Sequence, residues 1–531
     1  MKTDDLRSKT SMNKSYPDRL WLILLWAVFT GILVSIYFYS ESREFDQDEF
    51  EHIHTAWKIF RGQEIYVDFF QHHHPFLHYM LTPVIYIFGN TTESLFAGRY
   101  LMLLLTGGIF MVTYLLSMKI FKNSEVGVIS LVLTSTVATF YMKTIEIRPD
   151  VPQTLAALLS IYFLFVFYDK GSLKPLLASA AFLAVSFLFL QKSIALIPVI
   201  LVLFLYDLWG RAIRPRDVLI YAAVFILCIS PYYIYLLASG SFKQYFALTW
   251  LVNLYFGQKI GMWVYLLATL RENTITCVLY LIGIAALLKS KEHRRFSILS
   301  IGLLLTVLLM FKNLWRQYYM LAIPPLGIVA SYTLYTVFQS KYSRLVVIIG
   351  AIYLPMAIMH NHGFFKMDNT SQVSQLDKIN YVLSITDEND KVYDGYISFN
   401  LYRDDVDYLW FCVSDTWGQA ALKKANGYNY DIYESISTQK PKVISTFAIQ
   451  NPEDPRIRNH YRRSEKYDDL LIRVEKLSSN QSGLVIFVSD MCPLQHCPCL
   501  KSLYFSYCIL IPWFPGKACH ILLKPQFSGM L

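Results

Sequence analysis

The chain is expected to fold as an all-α polytopic membrane protein of about eleven spans, with a small extracytoplasmic α/β domain. Three observations predict this. Of 531 residues, 54% are hydrophobic and 16% charged, where a soluble domain carries about 25% charged residues. Apolar runs of about 20 residues, the length that crosses a bilayer, recur from Leu20 onward. The loops between the runs alternate between basic and non-basic.

The first run, Leu20–Tyr39, follows a basic segment with Lys2, Arg7, Lys9, Lys14 and Arg19. It is longer than the apolar core of a signal peptide, so it is an expected anchor rather than a cleaved leader. Further spans are expected near 98–118, 125–142, 151–168, 173–190, 193–208, 218–238, 263–288, 296–311, 319–338 and 344–360. Residues 76–88 are too short to span comfortably and suit a re-entrant or interfacial segment. Short loops hold Lys119/Lys122, Lys170/Lys174, Arg211/Arg214/Arg216, Lys289/Lys291/Arg294/Arg295 and Lys341/Arg344. The positive-inside rule makes these, with residues 1–19, cytoplasmic. The outer loop 41–97, the loops near 143–150, 191–192, 239–262 and 312–318, and everything after about 361 then face outward. Basic helix ends account for the net charge of +9, so it does not call for a nucleic-acid partner. Catalysis on the outer face has no access to cytosolic nucleotide sugars. The aromatics of 239–262, among them Phe242, Tyr245 and Trp250, suggest an interfacial belt.

Residues 361–476 are polar. Helix-like Ser371–Ile385 and Trp417–Ser437 alternate with strand-like Lys391–Ile397, Asp407–Val413 and Pro441–Phe447, which predicts the α/β domain. The tail 477–531 shifts in composition. Its Cys492, Cys497, Cys499 and His520 could ligate a metal, but the segment is better described as an atypical extension without chemistry.

Residues that could carry chemistry concentrate in 45–79. Phe50, Ile53, Trp57 and Phe60 recur at helical spacing, predicting an amphipathic helix at the membrane surface. Asp46 and Glu49 are spaced as a capping box. Asp48 suits capping less well, shares the polar face with His52, and is the stronger candidate for a catalytic carboxylate, with Glu49 beside it. In an extended His72-His73-His74 run, alternation puts His72 and His74 on one side. Asp48, His72 and His74 could then hold a divalent metal, or imidazoles such as His73 and His74 could hydrogen-bond a phosphate. Arg148 and Asp150 open a span at its outer end, as Lys192 and the run Arg316-Gln317-Tyr318 do elsewhere. Such cations often only snorkel. They lie on the side disfavoured for positive charge, however, and a set of them at one level suits an anionic headgroup.

These residues fall in an order that resembles the GT-C integral-membrane glycosyltransferases, in the branch of dolichyl-phosphate-mannose–protein mannosyltransferases and lipid A aminoarabinose transferases. The similar residues are Asp48-Glu49, Arg61-Gly62, Tyr66, Asp68-Phe69-Phe70, Pro75-Phe76-Leu77-His78-Tyr79, Phe88-Gly89, Gly98-Arg99, Arg148-Pro149-Asp150, Lys192, Gln317-Tyr318-Tyr319 and Pro324-Pro325. Phe76 stands where relatives tend to have a second proline, and His74 where many have lysine. The likeness covers about 20–360 and, loosely, the outer domain. It implies transfer of a sugar from a polyprenyl-phosphate donor to a glycan, lipid or protein acceptor at the extracytoplasmic face, with inversion. The membrane would be a bacterial plasma membrane, or that of the endoplasmic reticulum in a eukaryote. It also implies Asp48 as base, supported by Glu49 and Asp46, and His73, His74, Arg148, Lys192 and Arg316 as contacts for phosphate or sugar. A transporter or flippase of lipid-linked substrates is the alternative, but transporters usually place their charges near the bilayer midplane, often with internal repeats. A non-catalytic scaffold is a third reading.

Overall fold

The computed structural model describes residues 16–255, 262–310, 315–340, 353–357, 369–395, 398–411, 416–449 and 453–474, and residues 350 and 451 singly. Most of the expected span 344–360 lies outside the described residues, as does the whole tail with its cysteines.

The chain runs through α1 (Tyr16–Ser42), α2 (Gln47–Phe60), α3 (Phe76–Phe88), α4 (Glu93–Phe121), α5 (Ser124–Thr136), α6 (Ala138–Lys143), α7 (Asp150–Lys170), α8 (Leu173–Phe189), a 3-10 turn at Gln191–Ala195, α9 (Leu196–Trp209) and α10 (Pro215–Ala238). Among the described residues five helical segments are long and apolar enough to cross a membrane, or six if one bent pair counts as a span. That is fewer than the eleven expected, because several apolar stretches are short or broken. The stretch 263–288, expected as one span, is two helices bent by 96° at Asn273. The stretch 125–142 breaks at Val137, between α5 and α6.

The two breaks meet. Asn273 is buried, donates Nδ2 to Thr269 O at 2.9 Å, and accepts the Ala138 N–H on Oδ1 at 3.2 Å. A helix break in an apolar environment is tolerated when neighbours re-satisfy the released backbone, and Asn273 does this for both. Small residues allow close helix contact, as is usual in lipid. Gly327 lies directly against Thr134, and Gly283 against Thr333.

Residues 369–474 hold a four-stranded sheet of order β1-β2-β4-β3, with β1 (Val392–Tyr393), β2 (Val443–Ser445), β3 (Tyr461–Arg463) and β4 (Leu470–Arg473). β1 runs parallel to β2, and the other pairs are antiparallel. Helices Asn369–Ser384, Thr416–Asn426 and Ile432–Gln439 accompany it. The single helix expected over Trp417–Ser437 is thus two, parted after Gly427, which takes the left-handed conformation (φ +79°). Residues 407–411 lie outside the sheet. Their polar groups bond the loop after α2 instead: the Phe70 N–H donates to Tyr408 O at 3.0 Å, and Trp410 Nε1 donates to Phe70 O at 2.8 Å.

Candidate active site

The site is built on the first turn of α2. Asp46 is its N-cap: the carboxylate accepts the Asp48 N–H at 3.1 Å, and Glu49 Oε2 accepts the Asp46 N–H at 2.8 Å, completing the capping box. Glu49 is then fully engaged. Arg99 Nε and Nη2 reach its two oxygens at 2.8 Å each, and the Ile147 N–H adds a bond at 3.3 Å. Arg99 gives its other N–H groups to the carbonyls of Ser40, Arg43 and Glu44. Both side chains are at 0% exposure. Glu49, expected beside the reacting group, instead fastens α2 to α4.

Asp48 differs. It is 35% exposed and pairs with the buried Arg148 guanidinium. Arg148 also lies 3.7 Å from Asp46, 3.5 Å from Glu146 and 3.6 Å from Asp150. Asp150 faces Lys192 Nζ at 3.7 Å, and that ammonium sits over the Tyr318 ring, 3.6 Å from its centroid. Asp150, Gln153, Lys192, Gln317, Tyr318 and Leu321 line a small cleft. An alternating line of charge, Asp48–Arg148–Asp150–Lys192, therefore runs from the end of α2 to the cleft. Glu146 strengthens its base. Lys143, Arg43 and Arg148 hold that buried carboxyl well below the usual range, against the opposing effect of burial. Asp46 goes the other way, up to about 6, because burial and the charges of Glu146 and Asp48 disfavour its ionised form.

Arg316 is not a spare cation. Its guanidinium is bound at 3.0 and 2.8 Å by both oxygens of Glu272, at the end of the Met262–Glu272 helix. That partner is 44 residues away, and no spacing rule points to it.

The histidines also depart from the expected arrangement. His74 is not beside Asp48: its Nδ1 pairs with Phe187 O at 2.7 Å and its Nε2 with the Tyr245 hydroxyl at 3.0 Å. Tyr245, expected in an interfacial belt, is buried here. Alternation fails because the run is a turn, not a strand. Gln71 Oε1 accepts both the His72 and His73 N–H groups, at 2.7 and 3.0 Å, and this brings the two rings together with centroids 4.1 Å apart. Their nitrogens and a Glu51 oxygen lie within 4.8 Å of one another, so the geometry replaces Asp48, His72 and His74 by Glu51, His72 and His73 as the ligand-type group. Burial drives the His72 pKa down to about 4 and that of His73 well below its ordinary value. Burial thus disfavours the charged imidazolium form that would pair with a phosphate.

α2 is not a surface helix. His52 Nδ1 lies 3.0 Å from His78 Nε2 on α3, and His54 bonds Leu401 O and Asp405 Oδ2, both at 2.9 Å. Lys58 meets the same Asp405 carboxylate at 2.7 Å. The buried His54–Asp405–Lys58 set went unread in the sequence because its halves are about 350 residues apart. Tyr66 is buried in the left-handed region (φ +72°), a strained state for an aromatic residue. It is held there by its hydroxyl bond to His73 O and by the Tyr408 hydroxyl on its own carbonyl, both at 2.7 Å.

Residues 72–235 match the family model of dolichyl-phosphate-mannose-protein mannosyltransferases. Two solved structures share the fold of the chain. ArnT from Cupriavidus metallidurans, solved with undecaprenyl phosphate, superposes with a TM-score of 0.58 at 13% identity, covering 80% of this chain and 93% of that one. The apo oligosaccharyltransferase of Archaeoglobus fulgidus superposes with a TM-score of 0.53 at 12% identity, covering 81% and 70%. No curated protein matches the chain by sequence. The likeness to these solved structures is one of fold.

Proposed function

We propose that the chain transfers a sugar from a polyprenyl-phosphate donor to an acceptor hydroxyl or amine on the extracytoplasmic face, with inversion. The observation that carries this is the state of Asp48. It is the part-exposed carboxylate of a first turn whose other acid, Glu49, is at 0% exposure and held by Arg99. It also stands at the head of the charge line leading to the cleft. In this reading Asp48 takes the acceptor proton as the acceptor atom attacks the sugar's anomeric carbon. The bond from that carbon to the phosphate oxygen breaks, and the lipid phosphate leaves with the electron pair. Lys192 and Arg148 stabilise the charge that develops on it, with Gln317 and Tyr318 as further contacts. Glu49 has a holding role. The test is transfer from a polyprenyl-phosphate sugar by purified protein in nanodiscs, with product stereochemistry determined. Absence of transfer across a panel of such donors and acceptors would overturn the reading.

Two expected results follow from the site. Lys192→Ala raises the apparent donor KM, because the ammonium lines the cleft. Arg316→Ala acts mainly on stability, because it leaves the Glu272 carboxylate without its bidentate partner. Unchanged donor kinetics in a folded Lys192→Ala protein would remove that residue from the phosphate site. Sidedness has its own check. Cysteines placed singly within 61–68 and 380–390 should react with an impermeant maleimide from outside, and reaction only after the cytosolic face is opened would reverse the topology.

A further inference from the structure

We propose that Glu51, His72 and His73 bind one divalent transition-metal ion of the zinc class. Helix α2 places Glu51 one turn beyond Asp48, at 2% exposure. The turn capped by Gln71 delivers both imidazoles to it, and one ligand atom from each residue lies within 4.8 Å of the other two. Ligands about 2.1 Å from one tetrahedral ion stand roughly 3.4 Å apart, so a small side-chain rotation closes the set. A second observation is independent of that spacing. Glu51 Oε1 and His73 Nδ1 are sealed from solvent and have no hydrogen-bond partner. Buried polar atoms are normally satisfied, and leaving one unsatisfied is costly. A cation between these two satisfies both.

The donor set selects the ion. Two neutral imidazoles with one carboxylate suit zinc and its neighbours, whereas calcium and magnesium prefer oxygen ligands. Supports are in place behind the ligands. Gln71 Nε2 donates to Thr55 Oγ1 at 2.9 Å, which fixes the amide that shapes the turn, and the Tyr66 hydroxyl holds His73 O. The nearby cations Arg148 and Lys192 are drawn to Asp48 and Asp150. The inference concerns binding and does not depend on the transferase reading.

The test uses full-length protein in nanodiscs, stripped with chelator and loaded with zinc alone or cobalt alone. Wild type is expected to retain zinc after desalting, with cobalt bands of nitrogen and oxygen coordination. Glu51→Gln and His73→Ala should each weaken uptake at this site at least about tenfold, and zinc should raise the melting temperature of wild type but not of Glu51→Gln. Three results would overturn the site: no zinc uptake by wild type, equal uptake by wild type and both variants, or cobalt spectra showing thiolate coordination alone, which would assign the metal to cysteines such as Cys492, Cys497 and Cys499. If His73→Ala does not fold, Glu51→Gln, which preserves volume, decides.

Discussion

Asp48→Asn is expected to lower the rate of sugar transfer 10²–10⁴-fold, the usual cost of removing a positioned general base, with fold and donor binding kept. The substitution keeps the side chain's size and removes its capacity to accept a proton. Its structural cost is small for two reasons visible in the fold. The N-cap of α2 is Asp46, not Asp48. Arg148 is not orphaned either, because Asp46, Glu146 and Asp150 remain within 3.7 Å of its guanidinium. The loss should therefore appear in kcat, with donor KM and melting temperature little changed. A folded Asp48→Asn protein that turns over near the wild-type rate would end the assignment of Asp48 as base.

Arg99→Met is expected to destabilise the protein by about 3–5 kcal/mol, the range for removing one partner of a buried ion pair. Glu49 would be left charged at 0% exposure, and the carbonyls of Ser40, Arg43 and Glu44, at and just beyond the end of α1, would lose their donor together. Replacing the pair as a unit is a different matter, since well-packed apolar residues often substitute for a buried pair at little cost. The double variant Arg99→Met with Glu49→Leu should recover a large part of the loss. Thermal melts in detergent measure both. A single variant that melts with wild type would show that this pair is not what holds α2 to α4.

What was legible in the sequence was what local spacing encodes. The cap and box at Asp46 and Glu49, the helical period through Phe50, Ile53 and Trp57, and the long apolar runs of α1, α4, α7 and α10 depend on neighbours within a few residues or on length and composition. The grouping of Asp48, Arg148, Asp150 and Lys192 was reached by topology and resemblance rather than by spacing. Most of the failures share one cause, a deciding partner far away in sequence; the histidine turn is the exception, set by the adjacent Gln71. Gln71 turned a presumed strand into a bend and exchanged His74 for His73. Asn273 answers the break at Val137 through the Ala138 N–H, so two expected spans are each in two pieces. Glu272 occupies Arg316, and Arg99 occupies Glu49. Charge and burial made these residues noticeable, but nothing in their own surroundings named the partner.

The bonds from 401–410 to α2 and its following loop have a consequence for the order of events in biosynthesis. His54 and Leu401 are 347 residues apart. At about 5–20 residues per second during synthesis, on the order of 20–70 s separate the emergence of the two. During that interval early spans such as α1, α4 and α7 can insert and pack, because their main partners, α5 and α8 among them, are also made early. The loop carrying the histidines still lacks its Tyr408 and Trp410 fasteners, and Tyr66 has no hydroxyl on its carbonyl to hold its strained backbone. The surroundings of α2 and of the histidine turn therefore close late, when the segment 401–410 docks on them.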